Sequence, residues 1–457
     1  MISALFGFFI ALLAPAPQGN VTFAETIAPI LYKECVQCHR PGESGPFSLI
    51  TYDDARKRGP MIVRVTQSGF MPPWHAAENY GEFADERRLT TTQITAIAEW
   101  VRQGMPEGDP RKMPSLPTFT EGWQLGKPDL VLEMPKGYDV PADGRDVYRN
   151  FILPLNLPDD KWVRAIELRA TARRAVHHVL YGFIGAGTAS KVDGADGQPG
   201  FFGGMAPIGL QQAFGKSGGL GGWAVGMTPR FLPSGQAIQL PRSSDFVLQM
   251  HFHPTGKPES ERSTVGIYFS DKAPERSLFG AELPALFGFG AGLDIPAGEK
   301  NYIIQDSVTL PADIRAFGMA AHAHYVGKEL KATATLPDGS IRPLLWIQDW
   351  DFNWQDTYTF KQPLTLPKGT RIDVSLRYDN SAENRRNPHH PPQRIEWGEQ
   401  SDDEMGSMTV LYEAVRKEDE PALQQWTNQR TQAAIMKGVQ GGALRRLQSV
   451  PNVVRPR

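Results

Sequence analysis

The stretch Ala316-Phe317-Gly318-Met319-Ala320-Ala321-His322-Ala323-His324-Tyr325 reads as a single β-strand that carries a pair of histidines. In an extended strand, residues i and i+2 project from the same face, so His322 and His324 can converge on one ion. His251-Phe252-His253, at the end of an expected strand Phe246–Phe252, repeats that spacing. A third pair, His177-His178, is adjacent within an expected strand Ala175–Phe183. Neighbours on a flat strand point to opposite faces, so both can serve one ion only where the strand bulges. Neutral imidazole suits zinc, copper, iron or nickel, and an added thioether favours Cu(I). Spacing alone does not choose among these metals. Any single pair is as readily a solvated or hydrogen-bonded histidine; three pairs on separate strands point to metal. The fourth pair, His389-His390, lies in the proline-rich loop Asn387–Pro392 and does not read as a ligand pair.

Outward from these pairs, residues 125–415 show short runs of β-branched and aromatic residues separated by Gly and Pro at roughly ten-residue spacing. The expected strands include Leu130–Met134, Trp162–Ala170, Ala237–Leu240, Val265–Phe269, Tyr302–Leu310, Lys331–Thr335, Arg371–Tyr378 and Ser407–Tyr412. Strands and helices do not alternate, so a parallel doubly wound sheet is disfavoured and antiparallel sandwiches are expected. The Pro-rich stretch near 271–298 divides them, giving a first sandwich over 125–275 and a second over 280–415. Twelve glycines within 194–226 predict a long irregular insertion. Trp346, Trp350 and Trp354 could form a carbohydrate-binding platform, but tryptophans near Asp349 and Asp351 are more often core and turn residues. Residues 416–457 read as a helical or disordered tail.

The chain has 457 residues, with 48 Lys and Arg against 50 Asp and Glu. That balance lacks the basic face a nucleic-acid binder needs. Only two cysteines are present, Cys35 and Cys38, which excludes a disulfide-stapled scaffold and a Cys₄ site. They fall in Cys35-Val36-Gln37-Cys38-His39, the C-x-x-C-H pattern of c-type haem attachment. Two thiols on one helical turn reach the two vinyl groups of a single covalent haem, and His39 lies beneath the iron. Helices are expected near Thr26–Tyr32 and Thr92–Arg102, the latter with Ile94, Ile97, Ala98 and Val101 on one face. Residues 20–112 thus resemble a small class I cytochrome c domain. The resemblance implies a methionine as the second axial ligand. Met71, in Phe70-Met71-Pro72-Pro73-Trp74, is the first choice, with Met61, Met105 and His75 as alternatives. Residues 1–19 contain an apolar run too short to span a bilayer, which suits a secretory signal although no basic residue precedes the run. A periplasmic or secreted location is expected, with no transmembrane segment beyond the signal.

Six stretches, taken in order, resemble the copper type II, ascorbate-dependent monooxygenases, the family of dopamine beta-monooxygenase and peptidylglycine alpha-hydroxylating monooxygenase. They are Ala175–His178, Trp223–Gly226, Leu248–Pro254, His322–Lys328, Tyr378–Asn380 and Asp403–Met405. The resemblance implies two antiparallel jelly-roll-like sandwich domains, each presenting one copper. It assigns His177, His178 and His251 to an electron-transfer copper, and His322, His324 and Met405 to an oxygen-binding copper. It leaves His253 outside the ligand set, although strand geometry admits it. The implied reaction is hydroxylation of a C–H bond of a small molecule, using O₂ and a small-molecule or protein electron donor such as ascorbate. Departures bear on the substrate. Ala320 stands where the peptide hydroxylase has a carboxylate-gripping arginine, and Ser407 and Thr409 replace its Asn and Tyr, so an apolar or differently functionalised substrate is expected. The haem domain on the same chain suggests that haem c relays the electrons. The alternative is a non-catalytic periplasmic haem-copper electron carrier.

Overall fold

The structure is a computed structural model that describes residues 19–43, 45–119, 122–203, 218–225, 227–233 and 235–441. The expected signal at 1–19 lies almost wholly outside the described residues, as do the basic residues at the end of the tail. The chain divides into a helical unit, residues 19–74 and 86–119, and a larger unit that takes 75–85 and everything after 120.

In the helical unit, helices Tyr52–Arg56 and Thr91–Arg102 each begin with a capping box, Thr51 with Asp54 and Thr90 with Gln93. Each satisfies two backbone N–H groups that a helix start otherwise leaves unpaired. Helix Gly59–Gln67 starts with Pro60 in its first turn, where a missing N–H costs nothing. The last helix matches its expected span to within one residue, but its most buried positions are Ala96, Ile97 and Trp100. The indole decides this: Trp100 is fully buried, and its Nε1–H donates to Pro106 O at 3.1 Å. These residues close on Phe23, Ile27, Leu31, Val36 and Ile62.

The larger unit is built of antiparallel sheets consistent with β-sandwich domains. A five-stranded sheet runs Phe201–Phe202, Val147–Pro154, Ser244–Phe252, Val176–Gly185, Gly218–Ala224. A four-stranded sheet runs Leu130–Glu133, Thr264–Phe269, Lys161–Arg169, Ile238–Leu240. Phe151, Val179, Phe246, Leu248 and Phe252 from the first and Val163, Leu240, Val265 and Ile267 from the second share one apolar core. Two more four-stranded sheets follow. One runs Leu278–Leu283, Gly406–Ala414, Ile314–Ala323, Thr357–Leu366; the other runs Tyr302–Thr309, Arg371–Tyr378, Gly327–Thr335, Ile341–Ile347.

Three differences from the sequence expectation have physical causes. The glycine-rich insertion ends in a strand, Gly218–Ala224, paired with Val176–Gly185. Its start is gathered by the buried Arg149, which pairs with Asp196 at 2.8 Å and donates to Pro199 O and Gly200 O. The Pro-rich divider holds the strand Leu278–Leu283, so the second pair of sheets starts there. Residues 75–85, expected in the haem module, belong to the larger unit, where Ala76 bridges Ile347 and Phe83 bridges Phe360. The tail is a helix, Glu420–Gln440, with Leu423 and Gly438 buried. A side chain at Gly438 would collide with the Phe289 ring. None of the described helices is long and apolar enough to cross a membrane.

Candidate metal centres

His177 and His178 converge because their strand bulges. Val176 pairs with Phe252 and His178 with His251, so His177 is the extra residue between two regular pairs. The three imidazoles of His177, His178 and His251 then face one another, with Nδ1 of His178 3.2 Å from Nδ1 of His177 and 3.2 Å from Nδ1 of His251. Imidazole nitrogens bound at about 2.0 Å to one ion with near-tetrahedral angles lie about 3.3 Å apart. The observed spacing fits that chord. Among the described residues, these three form the group of His, Cys, Asp or Glu side chains that could share one ion.

For His251 the outer nitrogen explains why Nδ1 points inward. His251 Nε2–H donates to Asp146 Oδ2 at 2.7 Å, which leaves Nδ1 as the lone pair. Tyr148 stacks on the His251 ring at 4.2 Å, and Phe352 stacks on His177 at 4.3 Å. His177 Nε2 is buried with no hydrogen-bond partner. Burial holds the pKa of His177 and His178 well below the ordinary histidine value, and the neighbouring rings add to it. Burial lowers His251 as well, against the opposing pull of Asp146. Neutral imidazoles facing each other through lone pairs in a dry site leave buried acceptors without donors, an unfavourable state that a cation relieves.

The second site is built at a strand end. His322 lies on Ile314–Ala323 and His324 just past it, their ring centroids 5.2 Å apart. Here the inner nitrogen is Nε2. His322 Nδ1–H donates to Gln355 Oε1 at 2.7 Å, and Gln355 Nε2 donates to Phe352 O, which fixes the amide's orientation. His324 Nδ1–H donates to Asp403 O at 3.2 Å. Burial pushes the His322 pKa down to about 4 and holds that of His324 well below the ordinary value.

Glu404 holds the backbone of Met405 beside that of His324. One oxygen of the buried Glu404 carboxylate accepts the backbone N–H groups of both His324 and Met405, and the other accepts that of Val326 at 3.1 Å. Burial raises the Glu404 pKa to about 8, against these hydrogen bonds. Tyr378 OH donates to Met405 O at 3.1 Å, and the close approach of that hydroxyl leaves no room for a side chain at Gly406. The Met405 side chain is buried, and a thioether is a ligand that suits a soft ion.

The two sites adjoin. The His178 and His322 ring centroids are 6.3 Å apart, and Phe352 lies 6.2 Å from His251 and 5.4 Å from His324. His253 stays outside both: it is exposed, and its Nδ1 faces Asp146 Oδ1 at 2.8 Å. His389 Nε2–H donates to Asp402 O at 3.2 Å. Trp350 is buried and donates to His324 O at 3.2 Å, a core role.

In the helical unit, Cys35 and Cys38 are free thiols on a turn in which His39 N–H donates to Cys35 O at 2.9 Å. His39 Nδ1–H donates to Phe47 O at 3.1 Å, which leaves Nε2 as the lone pair for an iron. Burial pushes the Cys35 thiol up to about 12. The two half-buried thiols and the tautomer-fixed imidazole are the side chains here that could hold a covalent haem. Met71 is half-buried after the helix Gly59–Gln67, its N–H donating to Val65 O. Of the alternatives, Met61 is exposed, Met105 packs on Gly59, and His75 belongs to the larger unit.

Asp146, Tyr148, Phe352 and Gln355 carry no motif that marks them in the sequence. Glu404 stands inside a motif stretch, yet nothing there assigns its carboxylate a role.

No family model and no curated protein matches the chain. Among solved structures it is similar to the infectious bursal disease virus VP2 subviral particle at 12% identity, over 64% of this chain and 78% of that one, with a TM-score of 0.18. It is similar to PNGF-II at 12% identity, over 65% and 63% of the two chains, with a TM-score of 0.22. The major capsid protein P2 from Bacteriophage PM2 shows 11% identity over 59% and 98%, with a TM-score of 0.22. At such TM-scores these likenesses carry no argument about fold or function.

Proposed function

We propose that this protein is an exported, copper-dependent monooxygenase that hydroxylates a C–H bond with O₂ and draws electrons through a covalent haem c. The observation that carries the reading is the convergence of the His177, His178 and His251 Nδ1 atoms next to the two outward-tied imidazoles of His322 and His324. His177, His178 and His251 would hold one copper, and His322, His324 and Met405 the other; Cys35, Cys38, His39 and Met71 would hold the haem. The copper ions would supply dioxygen binding and one-electron storage.

The chain's own residues prepare both sites. Asp146, Gln355 and the Asp403 carbonyl fix which ring nitrogen is free on His251, His322 and His324. Phe352 packs on imidazoles of both clusters, His177 and His324. The surroundings of His322 support an apolar substrate. Phe287 meets its ring edge-on at 5.1 Å, Ser407 pairs with it across the sheet, and Ala320 pairs with Thr409. The Ser407 hydroxyl is already committed to Glu282 at 2.7 Å.

The test is ¹⁸O₂ turnover of the copper-loaded, haem-bearing protein with a reductant and a panel of apolar substrates. Product carrying one ¹⁸O atom supports the reading; a fully loaded protein that passes electrons without incorporating ¹⁸O is the electron carrier instead. For the relay, reduced protein is mixed rapidly with O₂, and haem oxidation that is unaffected by copper removal contradicts it.

A further inference from the structure

Asp146 lies one residue before the strand Val147–Pro154, which sets its carboxylate opposite the end of Ser244–Phe252. Its side chain is buried, and three side chains from two segments meet on it. His251 Nε2 lies 2.7 Å from Oδ2, His253 Nδ1 lies 2.8 Å from Oδ1, and the Ser401 hydroxyl donates to Oδ2. Its neighbour Arg145 pairs with Asp402 at 2.7 Å. Ser401 and Asp402 belong to the loop that runs directly into Glu404 and Met405. One carboxylate therefore touches an imidazole of the first site and the loop that carries Met405.

We propose that Asp146 is a positioning residue with two tasks: it holds His251 with Nδ1 free for the first ion, and through Ser401 it ties that site to the Met405 loop, so that filling the first site orders the second. This rests on the metal reading above. A ligating histidine commonly donates its other N–H to a carboxylate, which fixes ring orientation and raises basicity. The second task follows from the single oxygen that His251 and Ser401 share: a ring pulled toward an ion carries Asp146, and Asp146 carries Ser401.

The test uses the full haem-bearing chain and Cu(I) alone as the probe, in a His324→Ala background so that only the first site titrates. Asp146→Ala is expected to weaken Cu(I) binding about 10–100-fold by chelator competition. Asp146→Asn, which keeps an acceptor oxygen for His251, should recover most of that loss. If Asp146→Ala does not fold, Asp146→Ser replaces it, being polar but too short to reach the ring. The Ser401→Ala variant, made with His324 intact, should bind first-site Cu(I) within about threefold of the parent. It should also lose the copper-induced slowing of amide exchange over residues 398–405. Parent-like affinity in Asp146→Ala or Asp146→Ser overturns the positioning role, and copper-induced slowing that survives in Ser401→Ala overturns the tie. Failure of the parent itself to bind Cu(I) overturns the underlying metal reading, an outcome distinct from both.

Discussion

The two histidine sites are built from the same side chains in opposite ways. At the first, two rings come from one bulged strand and a third from the strand beside it, and all three offer Nδ1. At the second, both rings offer Nε2, because each Nδ1 is spent on Gln355 or the Asp403 carbonyl. The first site is therefore embedded in a sheet, where geometry is set by register; the second hangs on a strand end, a loop amide and a loop carboxylate. A sheet-embedded site keeps its shape when its ion changes charge. A loop-built site can adjust to a bound reactant. In the proposed function, the electron-storing copper would be the sheet-embedded one and the oxygen-binding copper the one at the strand end.

The contrast can be broken in stages. The largest expected effect is from His178→Ala, which removes the central ring of the first site; its ion should be lost altogether while the second is retained, as read by copper content and Cu(I) titration. Loss of both ions would mean that the sites are not separable. Phe352→Ala comes next. It deletes a buried ring that touches both clusters and should cost about 3–5 kcal/mol of stability in a denaturation experiment. It should also weaken both sites together, because the ring packs on His177 and His324 directly. Gln355→Leu should weaken the second site alone by about 10–100-fold, because His322 loses the partner that fixes its tautomer; equal weakening of the first site would contradict the comparison.

Acidification probes the same rings. The folded-state pKa of His322 is about 4, against about 6.5 in the unfolded chain, so the unfolded state binds more protons between these values. The stability this ring contributes in the metal-free protein is complete above about pH 6.5 and is lost as pH falls toward about 4. His177, His178 and His324 shift in the same direction, so metal-free denaturation midpoints should fall steadily over that window. A flat profile would mean that the rings are hydrated. The smallest effect is expected from Arg145→Ala, whose ion pair with Asp402 is largely exposed and should be worth less than about 1 kcal/mol.

What the sequence made legible follows from periodicity. The pairs at 251 and 322 stand out because strand spacing is regular, and the adjacent pair at 177 carried its own condition, a bulge, which the register meets. The strand Val147–Pro154 escaped notice because Arg149 and Asn150 are buried with their apolar neighbours, which destroys the alternation that marks a half-buried strand. Gly218–Ala224 escaped because four of its seven residues are glycine, and only pairing with its neighbour makes it a strand. Asp146, Phe352 and Gln355 were invisible for a different reason. Each reaches its histidines across 28 or more residues of chain, and no local pattern encodes such a meeting. The C-x-x-C-H pattern stands out because it is confined to five consecutive residues, Cys35 to His39.

The most direct measurement is copper per haem in the purified full chain, with copper by elemental mass spectrometry and haem by pyridine haemochrome absorbance. The account predicts two coppers for each haem, falling to one in His178→Ala and to one in His324→Ala. Haem without copper, or a copper content that neither substitution changes, would contradict it.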